Sequence, residues 1–129
     1  MVSTRPRKVL LVDDSPAVCE ALRWALEDGT DFVVVGTAHD GLRALEYAEA
    51  VQPDVVILDI ALPLLDGYAV ARALKSCPHV PIVIFLSIHS APQFRHEASQ
   101  AGGDAFVEKA LGWSVLIAQI RKTIAARPL

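Results

Sequence analysis

Four apolar runs in this chain each end on a residue that could do chemistry. Val9-Leu10-Leu11-Val12 leads into Asp13-Asp14, and Val55-Val56-Ile57-Leu58 leads into Asp59. Ile82-Val83-Ile84-Phe85-Leu86 leads into Ser87, and Ala105-Phe106-Val107-Glu108, apolar up to its last residue, into Lys109. Runs of this kind, without polar alternation, read as strands buried on both faces, the mark of a parallel sheet covered by helices. The carboxyl ends of such a sheet share one edge, and open α/β sheets bind their ligands in the crevice there. Three carboxylates, a hydroxyl and an ammonium therefore converge on one place. Crowded carboxylates repel unless a cation sits among them. Hard oxygen donors suit Mg2+, which keeps part of its water shell and shares oxygens with a phosphoryl group. Lys109 and Ser87 can offer charge and a hydrogen bond to the same oxygens. Singly, each residue has a plainer role: Asp14 before Ser15-Pro16 could be a helix cap, and Lys109 a solvated loop residue. Recurrence at four strand ends favours the joint role.

The spacing supplies the elements that would position them. With Phe32-Val33-Val34-Val35 as a further strand, the runs start at Val9, Phe32, Val55, Ile82 and Ala105. Each interval has room for a strand, a helix and two short loops, so five βα units with right-handed crossovers place helices on both faces. Ser15-Pro16 opens a first helix through Val18, Leu22 and Leu26. Asp40 opens a second through Leu42, Leu45 and Ala48, and Asp66 a third through Val70, Ala71 and Leu74. Pro92 can start a fourth, with Phe94 and Ala98 inward and Gly102-Gly103 as its stop. A fifth runs from about Trp113 to Ala126 with Leu116, Ile117, Ile120 and Ile124 on one side.

Size and composition set the limits. At 129 residues, 53% hydrophobic and 21% charged, the chain makes one globular domain. Residues 1–7 read as a disordered tail and residues 8–126 as the domain. A net charge of −3 and a pI near 5.7 argue against a nucleic-acid surface. The one basic cluster, Arg5, Arg7 and Lys8, reads as a solvated terminus. Cys19 and Cys77 fall in different expected helices, without metal-ligand spacing, which suits a reduced cytoplasmic setting. His39, His79 and His96 read as surface residues. Neither a signal peptide nor a run long enough to span a bilayer is expected.

The blocks resemble the receiver domain of two-component response regulators. The likeness runs from about Lys8 to Ile124 and rests on Val-Asp-Asp-Ser at 12–15, Leu-Asp-Ile at 58–60 and Leu-Pro-Leu-Leu-Asp-Gly at 62–67. Ser87, and Phe106 three residues before Lys109, complete it. It implies an α/β, flavodoxin-like, doubly wound fold whose five-stranded parallel sheet has the order 2-1-3-4-5. Asp59 would be the phosphoacceptor, taking its phosphoryl group from a sensor histidine kinase or phosphotransfer protein. Asp14 and Asp59 would ligate Mg2+, Asp13 mainly through water, and the Ala61 backbone carbonyl would complete the set. Ser87 and Lys109 would bind the phosphoryl group, and Ser87 and Phe106 would shift to remodel the surface of the fourth and fifth helices. The resemblance implies no catalysis beyond the domain's own phosphorylation and dephosphorylation, and no binding of nucleic acid or membrane. A homodimer is compatible with it.

Several positions depart from that pattern. Ile88 stands where the family usually has a small residue and would narrow the path to Asp59. His89, with Ala61, occupies a position that tunes hydrolysis of the phosphoaspartate in receivers. Ala110 follows Lys109 where the family carries a cis proline, and alanine predicts a trans bond there. Val33-Val34-Val35-Gly36 with Asp40-Gly41 looks like receivers joined to helix-turn-helix output domains, so transcription control is one expected output. Only one helix and a tail follow Lys109, so no such module is expected within these residues. Two other readings stay open: a degenerate receiver acting as a phosphorylation-independent interaction module, and a Mg2+-dependent phosphohydrolase.

Overall fold

The computed structural model describes residues 5–88 and 91–126. His89 lies outside the described residues. Five strands, β1 (Arg7–Val12), β2 (Phe32–Ala38), β3 (Val55–Asp59), β4 (Ile82–Ser87) and β5 (Ala105–Glu108), form one sheet in the order β2-β1-β3-β4-β5. All four pairings are parallel. Between and after the strands run α1 (Pro16–Glu27), α2 (Gly41–Val51), α3 (Gly67–Lys75), α4 (Pro92–Gln100) and α5 (Trp113–Ala126). This is the doubly wound α/β arrangement that the spacing predicts. No helix among the described residues is long and apolar enough to cross a membrane.

Side chains alternate across the strands and so build two cores. Val9, Leu11, Val55, Ile57, Ile82, Ile84, Leu86 and Val107 face α1 and α5, meeting Leu22, Leu26, Leu116 and Ile120. Leu10, Val12, Val56, Leu58, Val83 and Phe85 face the opposite way, meeting Ala44 and Ala48 of α2, Val70, Ala71 and Leu74 of α3, and Ala98 of α4. The central strands β1, β3 and β4 are sealed on both sides, which accounts for their unbroken apolar sequence. Asp54 and Asp104 lock the opposite, amino-terminal edge. The Asp54 carboxylate accepts from the Lys8 N–H at 2.8 Å, and the Asp104 carboxylate accepts from the Val83 N–H at 2.8 Å and from Lys75 Nζ at 2.6 Å.

Some expectations need correction. Arg7, expected in the tail, is the first residue of β1, paired with Phe32. Lys8 is likewise tied down, its Nζ donating to the Val51 carbonyl at 2.8 Å, whereas Arg5, 4.0 Å from Asp54, keeps the solvated side chain expected of it at 71% exposure. β2 runs past Val35 to Ala38, because a shift of register between Val9 and Leu10 lets it follow β1 further. It is an edge strand, and its exposed Val33 shows why its burial alternates. In α2 the buried stripe is Gly41, Ala44 and Ala48, while Leu42 points to solvent at 55% exposure. Small residues are needed there, since a Cβ on Gly41 would come within 2.1 Å of the Leu65 carbonyl oxygen. Cys77 lies just past α3, not inside it.

Candidate functional site

Three helix starts and a tight glycine hold the carboxyl edge of the sheet in shape. Ser15 caps α1, its hydroxyl accepting from the Val18 N–H at 3.3 Å, with Pro16 at the first helical position. Asp40 caps α2 through the Arg43 N–H and Asp66 caps α3 through the Ala69 N–H. Between β3 and α3 the chain folds back closely enough for the Gly67 N–H to reach the Ile60 carbonyl at 2.9 Å. A Cβ on Gly67 would sit 2.4 Å from the Asp59 carbonyl oxygen, so only glycine permits this return. Leu64, at φ 69°, makes the tight turn in the same loop, where the Leu65 N–H donates to the Pro63 carbonyl at 2.8 Å.

The carboxylates emerge side by side from β1 and β3. Asp13 is buried and spends both oxygens: Oδ1 accepts from the Ser15 N–H at 3.0 Å, and Oδ2 from Lys109 Nζ at 2.8 Å. Asp59 is also buried; Oδ1 accepts from the Ala61 N–H at 3.1 Å and Oδ2 from Lys109 Nζ at 3.2 Å. Asp14 is exposed, and its carboxylate has no hydrogen-bond or ion-pair partner among the described residues. One oxygen from each of Asp13, Asp14 and Asp59 lies within 4.8 Å of the others. Ser87 ends β4 with 2% of its surface exposed. Phe106, half-buried on β5, pairs in register with Phe85.

Burial sets the electrostatics. It pushes Asp59 above the ordinary carboxylate range, since desolvation and the neighbouring Asp13 outweigh the attraction of Lys109. Burial works against the charge of Lys109, yet its bond to Asp13 and the charge of Asp59 raise it above the usual lysine value. Cys19, buried beside the site, is pushed up to about 11 by burial and by Asp13, so its thiol stays protonated and donates to the Asp13 carbonyl. His39 also touches this carbonyl, its Nδ1 lying 2.9 Å away.

The sequence motifs single out Asp13, Asp14, Asp59, Ser87 and Lys109, and the structure gathers all of them at the edge where β1, β3, β4 and β5 end. One feature escapes sequence reasoning: Lys109 pairs with Asp13 at least as closely as with Asp59. The cap of α1 is Ser15, as the Ser15-Pro16 pair predicts, which frees Asp14 from that duty. Ile88 is 75% exposed, so no packed plug over Asp59 is seen at that position. The Lys109-Ala110 bond is trans, as alanine predicts, and a single 3-10 turn, Lys109–Leu111, leads through Gly112 into α5.

The unequal roles of the two adjacent aspartates make an expected result. Without metal, Asp14→Ala should raise the melting temperature, because it removes only a repelling charge. Asp13→Ala should lower it, since the Ser15 N–H and the Lys109 ammonium both lose an acceptor, at about 1–3 kcal/mol. Thermal melts in chelator, then in excess Mg2+, check this. The native chain should gain more from the ion than Asp14→Ala does.

The chain matches the response regulator receiver domain family over residues 9–121. It is 40% identical over 110 residues to protein-glutamate methylesterase/protein-glutamine glutaminase 5 of Myxococcus xanthus, covering 84% of this chain and 32% of that protein. To the transcriptional regulatory protein TrcR of Mycobacterium tuberculosis it is 34% identical over 117 residues, 90% of this chain and 44% of the relative. It therefore spans less than half the length of either. Among solved structures, the response regulator domain of Thermotoga maritima CheB superimposes with a TM-score of 0.87 at 30% identity, covering 96% of this chain and all of that one.

Proposed function

The chain belongs to the response regulator receiver domains, and from that premise we propose that Asp59 accepts a phosphoryl group and thereby switches the surface formed by α4, β5 and α5. The observation that carries this reading is the bridge made by Lys109 Nζ to Asp13 and Asp59, beside the carboxylate of Asp14, which has no partner among the described residues. A carboxylate meant for structure alone would be satisfied, as Asp54 and Asp104 are at the other edge.

The donor is a phosphohistidine of a sensor histidine kinase or a phosphotransfer protein. An Asp59 carboxylate oxygen attacks the phosphorus, the P–O bond forms as the P–N bond breaks, and the electron pair leaves on the imidazole nitrogen. Lys109 gives up one carboxylate partner and follows the charge onto the phosphoryl oxygens, while Ser87 donates to the same group. Asp13, Asp14, Asp59 and the Ala61 carbonyl suit Mg2+, and the donor set is the hard, all-oxygen kind that this ion takes. When bound, the ion would neutralise charge on the transferring group. Ser87 drawn toward the acyl phosphate leaves room for Phe106 to turn inward, a population shift between two packings. The chain acts only on itself, in the cytoplasm, where its two free cysteines stay reduced.

Incubation with acetyl phosphate and Mg2+ tests the reading. One phosphoryl group per chain is expected by intact mass, with little uptake in chelator. A chain that takes up none under either condition would instead be an interaction module that needs no phosphorylation.

A further inference from the structure

Helix α4 sits lightly on the sheet. Of its nine residues only Ala98 is buried, and Ala91 at its start offers no side-chain cap, whereas α1, α2 and α3 each have one. Its Arg95 reaches across to β5 in three ways. The guanidinium carbon lies 4.7 Å from the centroid of the Phe106 ring, within cation–π range. Nη2 lies 3.3 Å from Glu108 Oε1, and Nη1 donates to the Phe106 carbonyl at 3.4 Å.

We propose that Arg95 is a positioning residue that holds Phe106 in its resting packing, a latch that the phosphorylated state must release. The proposal rests on the acceptor-and-switch reading above. Its physical basis is local. One side of the half-buried ring packs against the core that contains Phe85, and Arg95 covers its outer face. Glu108 and the Phe106 carbonyl fix the guanidinium on the rim of the sheet, where half of the Arg95 side chain is in water. A ring drawn inward toward Ser87 cannot keep a cation that is tethered outside. The contact therefore favours one packing over the other, the condition for biasing a two-state element. An exposed cation–π pair is worth about a two- to fivefold change in the ratio of the two packings.

The test labels the chain with fluorophenylalanine, whose four fluorine signals include that of Phe106, assigned by its loss in Phe106→Leu. Without phosphodonor, the Phe106 signal of Arg95→Gln should lie displaced toward the position that the native chain reaches with acetyl phosphate and Mg2+. Arg95→Lys keeps a cation and should stay near the native position, with Glu108→Gln between the two. A merely structural role would move the melting temperature and not follow charge in this way. The proposal is overturned if Arg95→Gln matches the native chain at rest, if the lysine variant is displaced as far as the glutamine one, or if the native signal stays put in a phosphorylated chain. Intact mass of the same samples scores phosphoryl uptake separately. A chain that takes up no phosphate thus refutes the Asp59 reading, while the resting spectra of the three variants still decide the latch.

Discussion

Asp59→Asn is expected to take up no phosphoryl group from acetyl phosphate, while its metal-free fold is at least as stable as the native one. The first half follows from chemistry, because an amide oxygen is too poor a nucleophile to replace the carboxylate. The second follows from burial. The folded chain holds a proton on Asp59 more tightly than the unfolded chain does, whose ordinary value is 3.8. The ionised group therefore weighs against folding at neutral pH, and native stability from this group rises as pH falls through the raised value toward 3.8. Asparagine mimics the protonated acid at every pH. The stability gap between variant and native chain should thus be widest near neutrality and close in acid. Denaturant titrations across that range read it directly, and a gap that widened in acid would contradict the burial argument.

Lys109→Ala is expected to do the reverse of that variant, harming fold and chemistry together. Lys109 is the common partner of Asp13 and Asp59, whose side chains are 2% and 9% exposed. Removing it leaves two buried carboxylates facing each other, at a cost of about 3–5 kcal/mol. In a domain of this size that lowers the melting temperature by roughly 10 °C or more. Excess Mg2+ should return more stability to this variant than to the native chain, since the ion then supplies the only positive charge in the cluster. Phosphoryl uptake should still fall about a hundredfold at saturating Mg2+, the scale of losing one preorganised group that stabilises transition-state charge. Melting curves and labelling rates, each with and without Mg2+, check both halves.

Much of this was legible in the sequence for a simple reason. A strand buried on both faces is apolar throughout, so its last residue before the crevice stands out as the first polar one. Asp13, Asp59 and Ser87 were readable in that way, Lys109 by its place just after the short β5 run, and the order of the strands followed once the resemblance was recognised. Edges were less legible. β2 has water on one side, its periodicity is mixed, and its true length depends on a register shift with β1 that no local pattern records. Partnerships between distant residues were not legible either. That Lys109 would reach across 96 positions to Asp13 depends on how far β5 extends against β1 through two intervening strands. Nothing in the sequence sets Arg95 apart; only the placement of α4 beside β5 brings it over Phe106.

The account's central claim is that one carboxylate, Asp59, carries the phosphoryl group. Borohydride reduces an acyl phosphate to the alcohol, which marks the acceptor permanently as homoserine. The native chain, treated with acetyl phosphate and Mg2+, then reduced, digested and sequenced by mass spectrometry, should show homoserine at position 59 and aspartate at positions 13 and 14. Reduction at Asp13 or Asp14, or a phosphoryl group that survives borohydride on a serine or histidine, would contradict it.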